Sequence, residues 1–496
     1  MIDMSITISL LLVLAILICI FLKAKTWKRI FFYQFVLLMT LEFNEITSTA
    51  AFIGSQEINC SDPVLASLAI TAVIFLLKGV RANKKLVISI RVLCVAVFFC
   101  VLFNVIFPYE GITIDASGSW DAFYYGREAM NHVAMGFHTI LVLIRLMLWL
   151  LILYESSVVL TSRDFLTAAR YVVTFTKIHI VWATAEFITK TFFGSVIMVT
   201  LAQIVFPAAS SVYTTLNIRG NIRALQGFTR EPSHFALALT FFLLLILLLK
   251  RQDKSDKRDI PWVVSAIFLL LFSGAFTAIV GIVILLFFNL YFYEERKIKL
   301  INKENKKKCF GIHVALLIIS TLIIMFIATD IALNIFSNIY YVQKLNNVLK
   351  NINALFTRDY GALSGTSDAL PRMISIVECL YIFIARPLFG VGPGIVNPFS
   401  GIVSILANYG IIITICWFAV IYQYAKCFSG KKGACLFVVM VILLGLVLLS
   451  GDYIYNSKWL LLGGLFGQPL KNFIISSEKY DFISTQNSCS MPKKVK

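Results

Sequence analysis

The residues best suited to chemistry lie in one short segment, RGNIRALQGFTREPSH, which runs from Arg219 to His234. It contains Arg219, Arg223 and Arg230, and the guanidinium fork of arginine is well suited to hold phosphate oxygens. Arg219 and Arg223 are four residues apart, so a helix here would place them on one face. Pro232 fits the first turn of a following helix, whose free N–H groups and dipole also attract anions. These residues together predict a phosphate or diphosphate site.

The same segment supplies two groups that could move a proton. Glu231 and His234 lie beside Arg230, and either side chain could act as a general base toward an attacking hydroxyl. A structural alternative is that the arginines hold lipid head groups while Glu231 pairs with one of them. We favour the chemical interpretation, with Glu231 as the leading candidate for the base.

A second candidate cluster is the glycine-rich sequence RPLFGVGPG at residues 386–394, which Arg372 precedes. Glycines allow a tight turn and a close approach of the backbone to a ligand. A plain re-entrant turn explains the same spacing equally well. We predict that Arg372 binds diphosphate, because it stands on the external side of the membrane, just before an apolar stretch that returns to the membrane. The residues assigned to a loop near the substrate are Gly390, Gly392, Gly394 and Asn397.

Several well-known catalytic motifs do not occur in the sequence. It contains no Asp-x-Asp, no G-x-x-x-x-G-K-[ST] and no His-Glu-x-x-His. This argues against a metal-dependent enzyme that uses nucleotide sugars, against an ATPase and against a zinc protease. We therefore expect no metal and no cofactor, since arginines can stabilise a diphosphate leaving group and one base can deprotonate a hydroxyl.

The composition indicates that the bilayer is the solvent. Of the 496 residues, 59% are hydrophobic and only 14% are charged. A water-soluble fold with so few charged residues could not cover its surface with polar groups. The net charge is +18, yet the lysines and arginines cluster between apolar runs, as in cytoplasmic loops. The distribution of positive charge therefore indicates how the chain is oriented in the membrane, and we expect no nucleic acid partner. The basic segments are 23–29, 78–85, 163–170, 250–258, 296–308, 426–432 and 471–496.

Alternation between these loops predicts an all-α polytopic membrane protein of about 12–13 transmembrane helices with re-entrant segments. The N-terminus then lies outside and the C-terminus in the cytoplasm. The apolar stretch at 260–293 is too long for one ordinary span, and Ser273 and Gly274 suggest a break into two short helices or a re-entrant hairpin. We place helices near 5–22, 30–53, 63–80, 86–107, 132–154, 169–191, 234–250, 260–273, 274–293, 309–329, 401–425, 433–450 and 458–474.

Ionisable residues inside these spans are expensive in lipid and should face the bundle or a cavity. We expect most to pair with charges on neighbouring helices, for example Arg91 or Arg145 with a carboxylate. A proton relay is the alternative and would favour a transporter. The residues are Glu42, Glu45, Arg91, Arg145, Lys177, His179 and Glu186.

Four sequence elements, taken in order, resemble the Wzy-type O-antigen polymerases and the related O-antigen ligases. They are GFTREPSHFA at 227–236, SGAFTAIVG at 273–281, RPLFGVGPG at 386–394 and LANYGII at 406–412, and the likeness extends over residues 171–428. The resemblance implies a metal-independent membrane glycosyltransferase of GT-C-like architecture in the bacterial inner membrane. It would use undecaprenyl-diphosphate glycans at the periplasmic face, with Arg230 and Arg372 among the arginines that bind diphosphate.

The sequence departs from that family at one position. Ligases and many relatives carry a His-Asn pair shortly after the glycine turn, where this chain has Val396 and Asn397. The base that the family would place there is absent, which lowers the ligase interpretation. Glu231 and His234 are the substitutes that the sequence offers.

The resulting hypothesis is a polymerase that joins lipid-linked repeat units of O-antigen or a related surface polysaccharide. The alternatives are a ligase that transfers the glycan to lipid A core and a polysaccharide flippase, for which two related halves are expected. Expected partners are an undecaprenyl-diphosphate-linked oligosaccharide and membrane lipids, with a chain-length regulator as a further candidate.

The sequence divides into six predicted regions. They are N-terminal transmembrane helices at 1–191 with a periplasmic loop at 108–131, a periplasmic arginine-rich segment at 192–233, central transmembrane helices at 234–329, a large periplasmic loop at 330–400, C-terminal transmembrane helices at 401–474 and a cytoplasmic tail at 475–496.

Overall fold

The computed structural model describes most of the chain. The described residues are 7–46, 49–53, 56–79, 83–109, 137–206, 218–219, 222–229, 231–252, 256–300, 354, 357, 369–396, 398, 400–428, 430–447 and 453–466. Their helices are α1 (Ile8–Lys23), α2 (Trp27–Phe43), α3 (Ser61–Leu77), α4 (Lys84–Ile106), α5 (Phe137–Val159), α6 (Ser162–Phe193), α7 (Ile197–Val205), α8 (Pro232–Arg251), α9 (Ile260–Phe272), α10 (Phe276–Leu300), α11 (Ala369–Ala385), α12 (Gly401–Phe428), α13 (Lys431–Val447) and α14 (Lys458–Phe466). Two 3-10 helices also occur, Lys257–Asp259 and Tyr453–Tyr455. There are two short antiparallel hairpins among the described residues, β1 (Thr49–Ile53) with β2 (Gln56–Asn59), and β3 (Ile218–Arg219) with β4 (Ile222–Arg223).

Four of the described helices are long and apolar enough to cross a membrane, namely α4, Thr139–Val159 of α5, α8 and α12. Helix α8 is almost wholly buried, whereas α4 exposes large apolar side chains such as Ile88, Val95 and Phe98. Exposed apolar side chains along a whole helix face suit contact with lipid. The chain is therefore an all-α membrane protein in its main architecture.

The helices pack into one bundle around α8 and α12. Helix α8 lies against α6, α9 and α10, while α12 packs on α4 and α13. The short α14 contacts α2, α6 and α12. Large aromatic residues fill the interior, and Trp149, Trp417 and Trp459 are fully buried. The bundle thus brings the beginning of α14 close to the helices at the other end of the sequence.

Ion pairs show which helix ends lie together. Lys28 at the start of α2 is 3.6 Å from Asp164 at the start of α6. On α3 and α5, Arg145 donates to Asp62 through both Nε at 3.1 Å and a terminal nitrogen at 2.7 Å. The predicted pairing of Arg145 with a carboxylate is confirmed.

The predicted break in the long apolar stretch is confirmed. Helix α9 ends at Phe272 and α10 begins at Phe276, so the interruption falls at Ser273 and Gly274. A short helix, α7, occurs within the apolar segment at 192–209. The predicted span at 309–329 lies outside the described residues.

One prediction about an element was wrong. The second helix was expected to continue to residue 53, but α2 ends at Phe43 and the hairpin β1–β2 follows. Glu45 adopts a φ of 51°, which no helix allows, so the chain turns there. Helix α11 lies within the region 330–400, whose assignment as a large periplasmic loop stays a prediction.

Candidate functional site

Three helix ends that are far apart in sequence meet at one place. The end of α2 contributes Glu45, the start of α8 contributes Glu231 and His234, and the start of α14 contributes Lys458. His234 Nδ1 lies 3.0 Å from Glu45 Oε2, and His234 Nε2 lies 3.4 Å from Glu231 Oε1. The imidazole thus bridges two carboxylates, which is an arrangement suited to proton transfer.

Lys458 supplies the positive charge on the buried side of this cluster. Its Nζ is 2.7 Å from Glu45 Oε1 and 4.0 Å from Glu42 Oε2, and the side chain is 3% exposed. The ammonium also lies 5.4 Å from the centre of the Phe241 ring. A buried lysine of this kind is retained because carboxylates compensate its charge.

Glu45 lies in the turn after α2, outside the helix. Burial by itself would raise the pKa of this carboxyl, but the charge of Lys458 and the hydrogen bond with His234 outweigh it and lower the pKa to about 2. The side chain is therefore a carboxylate at neutral pH. The positive φ of Glu45 is a strained conformation for a residue with a side chain, and such strain often occurs at functional sites.

The start of α8 explains how Glu231 and His234 come to lie together. Glu231 is extended, with φ of −154° and ψ of 161°, as expected for a residue before proline. Pro232 occupies the first turn of α8, which confirms the sequence prediction. His234 follows three residues after Glu231, so one helical turn brings the two side chains together, and Ser233 Oγ donates to Glu231 Oε1.

Side chains of helix α6 form hydrogen bonds with the segment that leads into α8. Glu186 accepts hydrogen bonds from the backbone N–H groups of Gln226 and Gly227, at 3.1 and 2.7 Å. Lys190 Nζ donates to the carbonyl oxygen of Ala224 at 2.8 Å. His179 Nε2 accepts from the N–H of Phe228 at 2.9 Å. The expected pairing of ionisable residues inside spans is thus partly with backbone groups.

The structure places only part of the predicted arginine site. Arg219 and Arg223 lie on the hairpin β3–β4, whose register pairs Arg219 with Ile222 and Ile218 with Arg223. The expectation that both share a helix face was wrong, because the chain turns back between them. Arg230 lies outside the described residues. The backbone of Arg372 belongs to the first turn of α11.

The predicted glycine cluster packs against α12 just before Gly410, where the backbone of that helix is not helical. Gly392 N donates to Asn408 O at 2.9 Å, and Val391 N donates to Ala407 O at 2.9 Å. A Cβ atom on Gly390 would lie 2.5 Å from Ala407 O, so backbone contact requires glycine there. Gly394 completes the turn, whereas Asn397 lies outside the described residues. These contacts supply a structural role for the glycines, and binding of a ligand stays a prediction.

Sequence reasoning missed Asn408, Lys458 and the role of Glu45. The Asn408 side chain accepts from the N–H groups of Ile395 and Val396 and donates to Val396 O at 2.7 Å, which fixes the loop after the glycines. Asn408 belongs to the LANYGII element, so a signal existed. Lys458 directly precedes an apolar run and Glu45 lies near Glu42 in another, and nothing in the sequence pairs Lys458 with Glu45.

Within the residues that the structure describes, no group of three or more His, Cys, Asp or Glu residues is arranged to hold a metal ion. No known protein family matches the chain, and no curated protein is significantly similar to it in sequence.

Proposed function

We propose that this protein polymerises undecaprenyl-diphosphate-linked oligosaccharide repeat units at the periplasmic face of the bacterial inner membrane. The observation that carries the proposal is the contact series Glu231, His234 and Glu45, located at the start of α8. Glu231, the candidate base, directly follows the arginine-rich segment of the sequence, which supports the proposal. An all-α architecture with a site at helix ends suits the GT-C-like class that the motifs resemble.

In the proposed reaction, Glu231 accepts the proton of a sugar hydroxyl on the incoming repeat unit. The hydroxyl oxygen forms a bond to the anomeric carbon of the growing glycan, and the bond from that carbon to the lipid diphosphate breaks. The diphosphate leaves with its electron pair. Arg219, Arg223, Arg230 and Arg372 are proposed to stabilise its negative charge.

His234 has a supporting role in this scheme. Its Nε2 faces Glu231 and its Nδ1 faces Glu45, so the protonated ring can donate to both carboxylates and orient Glu231 as the base. The charged Glu45 stabilises this imidazolium, and Glu231 later releases the accepted proton to water. Lys458 keeps Glu45 ionised, and it lies on the buried side of the cluster.

The experiment that tests the function is the lipopolysaccharide pattern of a strain that lacks this protein. Loss of a polymerase leaves core carrying one repeat unit, and restoring the wild-type chain brings back the ladder of long chains. Loss of a ligase leaves core alone. An unchanged ladder contradicts both enzymatic functions and favours a transporter.

A further inference from the structure

Two oppositely charged side chains on α6 are buried together. Glu186 is 0% exposed and Lys190 is 2% exposed, and Lys190 Nζ lies 2.6 Å from Glu186 Oε1. Both belong to the same helix, one turn apart, so their ion pair does not by itself join two parts of the chain. Burying two charges is costly unless further hydrogen bonds complete their coordination.

Three further hydrogen bonds of this pair go to one backbone segment. Glu186 uses its two oxygens to accept from Gln226 N and Gly227 N, and Lys190 donates to Ala224 O. Donors and acceptors therefore match the local polarity of the backbone: the carboxylate meets N–H groups and the ammonium meets a carbonyl. Hydrogen bonds to charged groups are stronger than those between neutral groups.

His179 closes the other end of the same segment. Its Nε2 accepts from Phe228 N at 2.9 Å, and its ring stacks on the Phe228 ring with centroids 4.9 Å apart. Gly227 has a φ of +57°, and a Cβ atom there would lie 2.2 Å from His179 Nε2. The segment 224–228 is thus hydrogen-bonded to one face of α6 at four of its five residues.

We infer that Glu186 and Lys190 are positioning residues that clamp residues 224–227 and so set the place of Arg223 at one end and Glu231 at the other. Arg223 directly precedes the clamped segment, and Thr229 Oγ1 links its far end to Glu231 O at 2.9 Å. The inference rests on the proposed function, because it assigns the clamp to a site for a lipid diphosphate.

A charge-swapped variant separates clamping from simple ion pairing. In Glu186→Lys combined with Lys190→Glu, the two side chains can still form a pair on α6. The lysine at 186 would then face the N–H groups of Gln226 and Gly227, and the carboxylate at 190 would face Ala224 O. Each contact with the segment becomes repulsive while the ion pair persists.

The measurement is the dissociation constant of undecaprenyl diphosphate for the purified full-length protein in nanodiscs. We expect the swapped variant to bind this probe at least about tenfold more weakly than wild type, since charge-assisted hydrogen bonds to the segment are lost. Binding at the wild-type level by the swapped variant overturns the inference. Failure of the wild type itself to bind the probe does so as well.

The matched control is the pair Lys177 and Asp259, which also joins α6 to a carboxylate at 2.6 Å but does not touch residues 224–227. Lys177→Asp combined with Asp259→Lys should leave binding unchanged. Equal weakening by both swaps would show a general structural effect and would contradict the clamp. If the swapped protein does not fold, Glu186→Gln serves instead, with weaker binding again expected and wild-type binding counting against the clamp.

The binding result and the strain result are independent. A wild-type protein that binds the probe, together with a swapped variant that does not, supports the clamp even if the deletion strain keeps its ladder. In that case the proposed polymerase function fails while the positioning role stands.

Discussion

At the residue scale, the first prediction concerns Glu231. The Gln replacement keeps the size of the side chain but removes the carboxylate, so it should abolish polymerisation while binding of the lipid-linked substrate stays close to wild type. The measurements are the length of the O-antigen ladder and the dissociation constant of the substrate. Lys254→Ala, in the segment that we predict to be cytoplasmic, is the control and should leave the ladder intact.

The opposite outcome for Glu231→Gln is equally informative. If Glu231 only pairs with a cation, the glutamine variant should make full-length polymer or should bind the substrate more weakly. A normal ladder at normal protein levels would remove Glu231 from the reaction and leave His234 as the residue next to Glu45 to examine.

A second prediction at this scale concerns Lys458. Replacement by Met leaves the Glu45 carboxylate buried without its nearest cation, and removing one partner of a buried pair costs about 3–5 kcal/mol of unfolding free energy. We expect a clearly lower thermal unfolding midpoint for the purified protein in detergent. Adding Glu45→Gln removes the stranded charge, so the double variant should be more stable than Lys458→Met alone. Additive losses would show that the two residues do not interact.

At the element scale, the third prediction concerns the break in α12. Gly410 has a φ of +71°, and a Cβ atom there would lie 2.3 Å from Leu388 O in the backbone of the preceding loop. Gly410→Ala should therefore destabilise the protein by more than the roughly 1 kcal/mol expected for an unfavourable φ alone. Thermal unfolding in detergent measures the effect.

Two other glycines separate the causes. Gly79 has a similar φ of +74° but nothing within 4 Å of a Cβ atom, so Gly79→Ala reports the backbone cost alone. Gly430 also has open space and serves as the control for the substitution itself. If Gly410→Ala costs no more than Gly79→Ala, the close approach of the loop to α12 is not stabilising.

The helices and strands also show which features could be predicted from the sequence and why the others could not. Hydropathy located most helices, and Ser273 with Gly274 located the break between α9 and α10. The end of α2 was misplaced, because residues 46–53 are apolar enough to continue a helix and only the conformation of Glu45 ends it. We expected the arginine segment to be helical because Arg219 and Arg223 are four residues apart. A hairpin of two two-residue strands also contains arginines at that separation in sequence.

The candidate site was predictable only where its residues are neighbours in sequence. Glu231 and His234 could be assigned together because one helical turn separates them and Pro232 fixes the helix start. Glu45 and Lys458 could not be, because they lie at opposite ends of the chain and meet only through the packing of α14 against α2. A single sequence carries no information about such contacts.

At the scale of the whole molecule, charge is separated along the bundle. The end that holds Glu45, Glu231 and Lys458 also holds the clamp on α6, while the opposite ends of α2 and α6 carry the pair Lys28 and Asp164. Lys28 belongs to one of the basic segments that we predict to be cytoplasmic. We therefore predict from the positive-inside rule that the site lies on the outer side, where lipid-linked repeat units are polymerised in the proposed function.

The last prediction tests this orientation with introduced cysteines. Cys60 lies in a segment that we predict to be external, but it is only 1% exposed and would react poorly. Thr191 at the end of α6 and Lys431 at the start of α13 are both exposed. In intact spheroplasts, Thr191→Cys should add one labelled site for a membrane-impermeant maleimide above the wild-type background. Lys431→Cys should add one only after permeabilisation. The reverse pattern would place Glu231 and its arginines in the cytoplasm, and a polymerase that acts on exported repeat units could not use them there.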